Sequence, residues 1–578
     1  MFPTALIQDG VHRRWLAFDT PRHIIEVWRL SEVIAAVEEV ARRVDTEGCW
    51  AVGFVAYEAA PAFDAVLVTK PPAATPLLWF GLFEVPRLLD ELPWAQAVDI
   101  PNYRWQAVEE APHYESHIAR IRNWISAGDI YQVNHTMRLT APLVEPAHAL
   151  LARMVNANRP RYSAWLETST HILCSASPEL FFDWEGEHIA SRPMKGTTGR
   201  GLWLEDDEVK AQRLLHSEKD RAENVMIVDM VRNDLGRIAR TGSVRVDRLF
   251  ELERYPTLWQ LTSTVSARTS AGFTDILRAL FPAASITGAP KARAMQIIAD
   301  QERHPRGVYT GCIGYLDPGR KARFNVAIRT AVIDRASQQV EYGVGSGIVW
   351  DSRSAAEYKE CVLKARIVTD APPPFELLET LLWEPETGYF LLDEHMDRLR
   401  DSARYLDVDL DPAVVREALL AIIPPACNAP QRVRLLVDRK GSATVQVTAL
   451  DPTSTQPVRL AIARDPIKIH NPFLYHKTTH RSMYETAKAA FPACDDVVLW
   501  NEAGEVTETT IANIVVEQAG RLLTPPRRCG LLAGVFRQSM LDSGQISEAV
   551  ITVEGLRSAV RIFVVNSVRR WRIATLVE

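Results

Sequence analysis

"LLHSEKDRAENVMIVDMVRNDLGRIAR", residues 214–240, is the stretch on which the reading of this chain turns. It is one long helical pattern that closes near Gly236, and it carries Asp220 and Glu223 three residues apart, on one helix face. Taken alone, such a pair is a solvated face or a surface ion pair. A second stretch, "GVGSGIVWDSRSAAEYKECVLKARIV" at 343–368, repeats the arrangement. Glu357 and Glu360 again stand three apart, and Lys364 follows four residues after Glu360. Two such faces turned into one cleft would form a hard oxygen site. Mg²⁺ favours that chemistry: one or two carboxylates, several waters and an anionic substrate group.

Other anion-binding signals surround the pair. Gly343, Gly345 and Gly347 let backbone N–H groups approach a ligand closely. "ASITGAPKARAM" (284–295) reads as a turn followed by a helix start. "FNVAIRT" (324–330) places Arg329 on an apolar strand, where a charge needs a partner such as a carboxylate. "SRPMKGTTGR" (191–200) sets Lys195 in an expected turn of small residues, where a lysine is ordinarily just solvated.

Length and composition bound the class. The chain has 578 residues, 47% hydrophobic and 24% charged, with net charge −6 and pI ≈ 6.2. Several domains of ordinary globular composition are expected, with neither a nucleic-acid footprint nor a polybasic membrane patch. There is no apolar run long enough for a bilayer span, and "MFPTALIQDGVHRRW" (1–15) lacks the order of a signal peptide. Seven scattered cysteines, at 49, 174, 312, 361, 427, 494 and 529, form no CxxC pair. Reduced thiols and a cytoplasmic location are the simplest reading. The clearest boundary is "TDAPPPFELLET" (369–380). It predicts units at 1–370 and 377–578 joined by a connector at 371–376. "EVIAAVEEVARRV" (32–44) predicts a helix, and "VRLLVDRKGSATVQVTAL" (433–450) a hairpin around Lys440-Gly441.

Together "RPMKGT", "DRAENVMIVDMVRNDLGR", "SITGAPKARAM", "RGVYTGCIGYL", "AIRT" and "GVGSGIVWDS…AEYKECVLKA" resemble the chorismate-utilising enzymes, in family order from about residue 128 to 366. That family includes anthranilate, isochorismate, salicylate and aminodeoxychorismate synthases. The resemblance implies an α+β fold with antiparallel sheets in the middle and helices outside. It implies that Glu223, Glu360 and Glu357 hold Mg²⁺ against the ring carboxylate of chorismate. Arg329, Tyr309 and the Gly345–Gly347 backbone would bind the other carboxylate, and Thr287, Gly288 and Lys364 would complete the substrate site. The turn at Lys195 is similar to that of aminodeoxychorismate synthases; anthranilate synthases have alanine in a PIAGT turn. The implied role of Lys195 is nucleophilic, which requires a deprotonated amine. Glu179, in "SASPELFF" (175–182), matches the family's general acid, and its apolar neighbours fit a raised carboxyl pKa. Gln132 stands where the water-using relatives carry a lysine base, which fits an ammonia-using enzyme. Gln260 replaces a histidine common in relatives, and its role is left open. "GFVAYEAAPAF" (53–63) and "PLLWFGLFE" (76–84) fit the family's N-terminal region, and whether that region binds tryptophan is also open.

In the second unit, Lys477, Glu508, Arg398 and the turn "GLLAGVFRQSM" (530–540) read as a Schiff-base lysine, an acid for a pyridinium nitrogen, and an arginine with N–H groups for a phosphate. Their order resembles class IV pyridoxal-phosphate enzymes, in which the turn at Val535 and Phe536 holds the phosphate. "VVNSVRR" (564–570) looks most like the lyase branch; His480 departs from an asparagine common in relatives. The two resemblances imply amination of chorismate to 4-amino-4-deoxychorismate, then elimination of pyruvate to leave 4-aminobenzoate. Mg²⁺ and pyridoxal 5′-phosphate are the implied cofactors. Ammonia would come from solution or from a separate glutamine amidotransferase subunit, since no glutaminase module is visible. Two chains could pair as a homodimer through the second unit. The alternatives are an anthranilate-synthase-like chain joined to an amino-acid aminotransferase, and a non-catalytic scaffold that binds the amidotransferase.

Overall fold

The computed structural model describes all residues except 1–2, 13, 73, 95–102, 370–373, 424–427, 452–455 and 578. Residues 371–373, the first half of the expected connector, and Cys427 therefore lie outside the described residues. The chain separates into two compact units. One comprises Met1–Arg200 and Lys210–Pro372; the other comprises Gly201–Val209 and Pro373–Glu578.

The first unit is built on two ten-stranded sheets whose pairings are all antiparallel. Long strands carry the site. Gln339–Ile348 pairs along its whole length with residues 133–142 of the strand Gln132–Pro142, and Met194–Gly199 pairs with Leu258–Arg268. Helices flank the sheets. Leu30–Glu47 forms where the apolar spacing predicts it, burying Val33, Val37, Val40 and Val44, and it ends on Gly48 in the left-handed conformation. The helix Glu218–Gly236 starts at Ser217, whose hydroxyl accepts the Asp220 N–H at 3.3 Å. It buries Ile227, Val228, Val231 and Leu235 in the same apolar cluster as Phe182, Phe273 and Phe324. The helix Ser354–Thr369 buries Cys361, Ala365, Ile367 and Val368 against the other sheet.

Two local expectations change. Lys195 lies in the strand Met194–Gly199, not in a turn. The ladder to Leu258–Arg268 wins over turn propensity. A register shift between Met194 and Thr197, with Gly196 at φ +92°, absorbs the small residues as a bulge. Arg329 lies just beyond the strand Lys321–Val326, at a bend with φ +50°, not within a strand.

The second unit has a four-stranded antiparallel sheet and an eight-stranded mixed sheet. The expected hairpin is Gln431–Val437 with Ala443–Ala449. Its turn glycine, Gly441, has φ +84° and touches the Asp409 carbonyl too closely for any side chain. Gly201–Val209 joins this unit through Leu202 and Trp203, which pack on the cluster around Tyr475 and Leu499. The Trp203 and Tyr475 rings lie 5.3 Å apart.

Candidate active sites

In the first unit a cavity of about 280 Å³ is lined by Glu179, Lys195, Lys219, Asp220, Glu223, Gln260, Tyr309, Arg329, Gly345, Gly347, Glu357, Glu360 and Lys364, with Ser285 and Ile286. Both acidic helix pairs therefore face one space. Thr287 and Gly288 do not line it; the Thr287 hydroxyl donates to the Ala283 and Ala284 carbonyls at 3.2 Å, and Gly288 packs on the Gln132 carbonyl.

Lys195 reaches across the cavity until its Nζ fills the space that a Cβ on Gly347 would need. Gly343 plays the same part for the Tyr309 ring. The backbone of Lys195 is held by Asn224, whose Nδ2 donates to the Lys195 carbonyl at 3.3 Å and whose Oδ1 accepts from Ser263 at 2.6 Å. Glu179 is buried, and desolvation raises its pKa to about 7 against the opposing pull of Ser285, the Met194 N–H and the Lys195 and Lys364 charges. Burial also raises the pKa of Glu223, opposed by Lys195 and Lys219. Glu360 loses solvation too, yet its ion pair with Lys364 at 2.7 Å, with Lys195 and Lys219 nearby, holds its pKa below the ordinary value. Lys364 also donates to the Gly345 carbonyl at 2.8 Å. Arg329 is buried, bonded to Asn158 and to Gln260 Oε1 at 3.5 Å, with its guanidinium 5.2 Å from the Tyr255 ring centre. Gln260 thus anchors an arginine. Glu223, Glu357 and Glu360 line this one cavity, and their all-oxygen donor set is the ligand chemistry that Mg²⁺ takes.

Sequence reading missed Asn224, Asn158, Ser285 and Lys219. Asn224 directly follows Glu223, so only the facing strand reveals its job. Asn158 ends a helix far away in sequence.

In the second unit a cavity of about 570 Å³ is lined by Lys477, Arg398, Glu508, Val535, His395, Tyr484, Asn513, Asn566 and Ser567, among others. Desolvation and the Arg398 charge lower the Lys477 pKa to about 8. Glu508 accepts from Tyr484 Oη at 2.8 Å, the Leu532 N–H at 3.2 Å and Asn513 Nδ2 at 3.3 Å, while burial raises its pKa to about 7. Arg398 is clamped by two bonds to buried Glu379, at 2.9 and 2.6 Å, and donates to the Ala533 carbonyl at 3.2 Å. Three of its five N–H donors are used there, so two remain for an anion. Glu379 in turn bonds His395 Nδ1 at 2.8 Å. Val535 opens the helix Val535–Asp542 at the cavity wall. The Phe536 side chain packs away from it, on Phe390 at 5.7 Å. An amine of lowered pKa, a buried acid and an anion-binding corner fit pyridoxal phosphate. Glu379, Tyr484 and Asn513 were not legible beforehand.

The chain belongs to the chorismate binding enzyme family, whose model matches residues 3–370, and residues 376–577 match amino-transferase class IV. Among curated proteins it is 42% identical to aminodeoxychorismate synthase component 1 of Salmonella typhimurium, over 44% of this chain and 56% of that one. It is 38% identical to anthranilate synthase component 1 of Thermus thermophilus, over 46% and 58%. The chain thus spans little more than half the length of these relatives. The crystal structure of anthranilate synthase component I from Streptococcus pneumoniae shares the fold, with 24% identity, TM-score 0.54, and 64% and 93% of the two chains covered. No helix among the described residues is long and apolar enough to cross a membrane.

Proposed function

We propose that the chain makes 4-aminobenzoate from chorismate in two reactions, one in each cavity. The observation that carries this reading is the Lys195 amine seated against Gly347, in the same cavity as Glu179, Glu223 and Glu360. In the first reaction the deprotonated Lys195 amine forms a bond to the ring carbon. The ring C–O bond breaks, and the departing hydroxyl takes the Glu179 proton to leave as water. Ammonia then displaces the lysine, which returns as free amine, and the product is 4-amino-4-deoxychorismate. Glu179 suits this task because burial keeps it protonated up to about pH 7. Arg329, pre-positioned by Asn158 and Gln260, binds the carboxylate of the side chain together with Tyr309 and the Gly345 and Gly347 N–H groups. Glu223, Glu357 and Glu360 would hold Mg²⁺, which supplies positive charge for the ring carboxylate.

In the second reaction pyridoxal phosphate supplies an electron sink when bound. Arg398 and the N–H groups of Val535 and Phe536 would hold its phosphate, and Glu508 its ring nitrogen. Lys477, with its lowered pKa, moves the proton from the substrate carbon, and loss of pyruvate leaves aromatic 4-aminobenzoate. A separate glutamine amidotransferase subunit supplies the ammonia, the chain works in the cytoplasm, and pairing through the second unit gives a dimer. The test is chorismate with ammonium and Mg²⁺, followed by mass identification of products. 4-Aminobenzoate and pyruvate are expected; anthranilate as the product overturns the reading.

A further inference from the structure

Away from both cavities, three metal-binding side chains converge in the first unit. Glu109 precedes the helix Ala111–Ser126, His117 sits on that helix, and His135 lies on the strand Gln132–Pro142. His117 Nδ1 is 3.1 Å from Glu109 Oε1 and 3.3 Å from His135 Nε2, and the three atoms lie within 4.8 Å of one another. His135 is fully buried; Glu109 and His117 are each 11% exposed at the side chain.

Hydrogen bonding alone does not satisfy this cluster. An imidazole nitrogen carries either one proton or one lone pair, so His117 Nδ1 can serve only one of its two neighbours. Glu109 Oε1, buried, gains no well-directed hydrogen bond, and His135 Nδ1 has no partner either. Tetrahedral zinc with bonds of ~2.0–2.2 Å places its ligand atoms roughly 3.3–3.6 Å apart, close to the 3.1 and 3.3 Å that separate His117 Nδ1 from its two neighbours. Two imidazoles and one carboxylate are a zinc ligand set that leaves a fourth position to water.

We propose that Glu109, His117 and His135 form a zinc-binding site that ties the helix Ala111–Ser126 to the strand Gln132–Pro142. The role is structural: none of the three lines the substrate cavity, though the tethered strand carries Asn134, which does. The full chain, freed of metal by dialysis against a chelator, is titrated with Zn²⁺ against a chromophoric competitor, and separately with Co²⁺. One tight zinc equivalent is expected, retained in Glu223→Gln and lost in His117→Gln and Glu109→Gln. Co²⁺ should give the visible d–d bands of a four-coordinate, histidine-bound ion, absent in both site variants. Zn²⁺ should raise the thermal midpoint of the wild type but not of the site variants. Circular dichroism checks folding; Glu109→Gln keeps the side-chain shape and carries the test should His117→Gln fail to fold. The proposal is overturned by a wild type that binds no tight zinc, by an equivalent that survives in a folded site variant, or by colourless cobalt protein.

Discussion

Gly347→Ala separates the role of the lysine from the integrity of the fold. Gly347 does not sit at positive φ, so alanine can adopt its backbone conformation. The added methyl would collide with Lys195 Nζ, approach its Cε to 3.1 Å and meet Gln132 Nε2 at 3.3 Å. The amine is the far end of a flexible chain, so it swings away by about 1 Å or more to regain van der Waals separation. Stability should change by no more than about 1 kcal/mol, because no cavity opens and no buried charge loses its partner. Catalysis should suffer far more. A misplacement of about 1 Å costs on the order of 100-fold in rate, near 2.7 kcal/mol in the barrier. The assay is chorismate consumption with ammonium and Mg²⁺ under initial-rate conditions, beside urea unfolding of the same preparation. Release of 4-aminobenzoate from supplied aminodeoxychorismate should stay at the wild-type rate. An alanine variant that aminates chorismate as fast as the wild type would refute the claim that the amine must occupy that place.

Glu223→Gln or Glu360→Gln should abolish amination and leave the second reaction intact; full amination by both variants at limiting Mg²⁺ counts against the metal assignment. With Glu179 near 7, its proton-donating form prevails below that value, so kcat/KM for amination at constant free ammonia should fall as pH rises through about 7. A profile that keeps climbing across neutrality means that another group protonates the hydroxyl. Lys477→Ala should lose the yellow colour of bound cofactor, stop releasing 4-aminobenzoate and accumulate aminodeoxychorismate while still consuming chorismate; wild-type release of 4-aminobenzoate and pyruvate, read by chromatography, would disprove the assignment of the second unit.

The parts of the sites visible in the sequence are those carried on regular elements. Glu223 and Glu360 were readable because helical spacing fixes which side chains share a face, and each helix then turns that face to the same cavity. Lys477 and Glu508 were readable by their order and their resemblance to a known pattern. The supporting residues were not readable, because their work depends on long-range pairing. Asn224 can hold the Lys195 carbonyl only because Met194–Gly199 and Leu258–Arg268 run beside its helix. Glu379 can fix Arg398 only once the strand Leu377–Glu384 lies against the helix Leu392–Leu406. The excursion of Gly201–Val209 into the second unit carries no local mark beyond Leu202, Trp203 and Leu204, three apolar residues ahead of four acidic ones.

The strand Gln339–Ile348 shows why the first cavity is where it is. Successive side chains alternate between the two faces of a strand. Tyr342, Val344 and Ile348 enter an apolar cluster with Ile118, Leu150 and Ile297, and Ser346 meets Tyr114 Oη at 3.0 Å. The alternate positions are Gly343, Gly345 and Gly347, and each omitted side chain leaves room for something specific. At 343 that is the Tyr309 ring, at 345 the His135 carbonyl and the Thr136 side chain, and at 347 the Lys195 amine. One face is thus filled to hold the sheet, and the other is emptied to admit neighbouring groups. A single substitution on the empty face adds a methyl where a functional atom already sits, while one on the full face removes packing. Gly347→Ala should therefore cost rate at nearly constant stability, whereas Val344→Ala should cost about 1–3 kcal/mol of stability before it touches the chemistry.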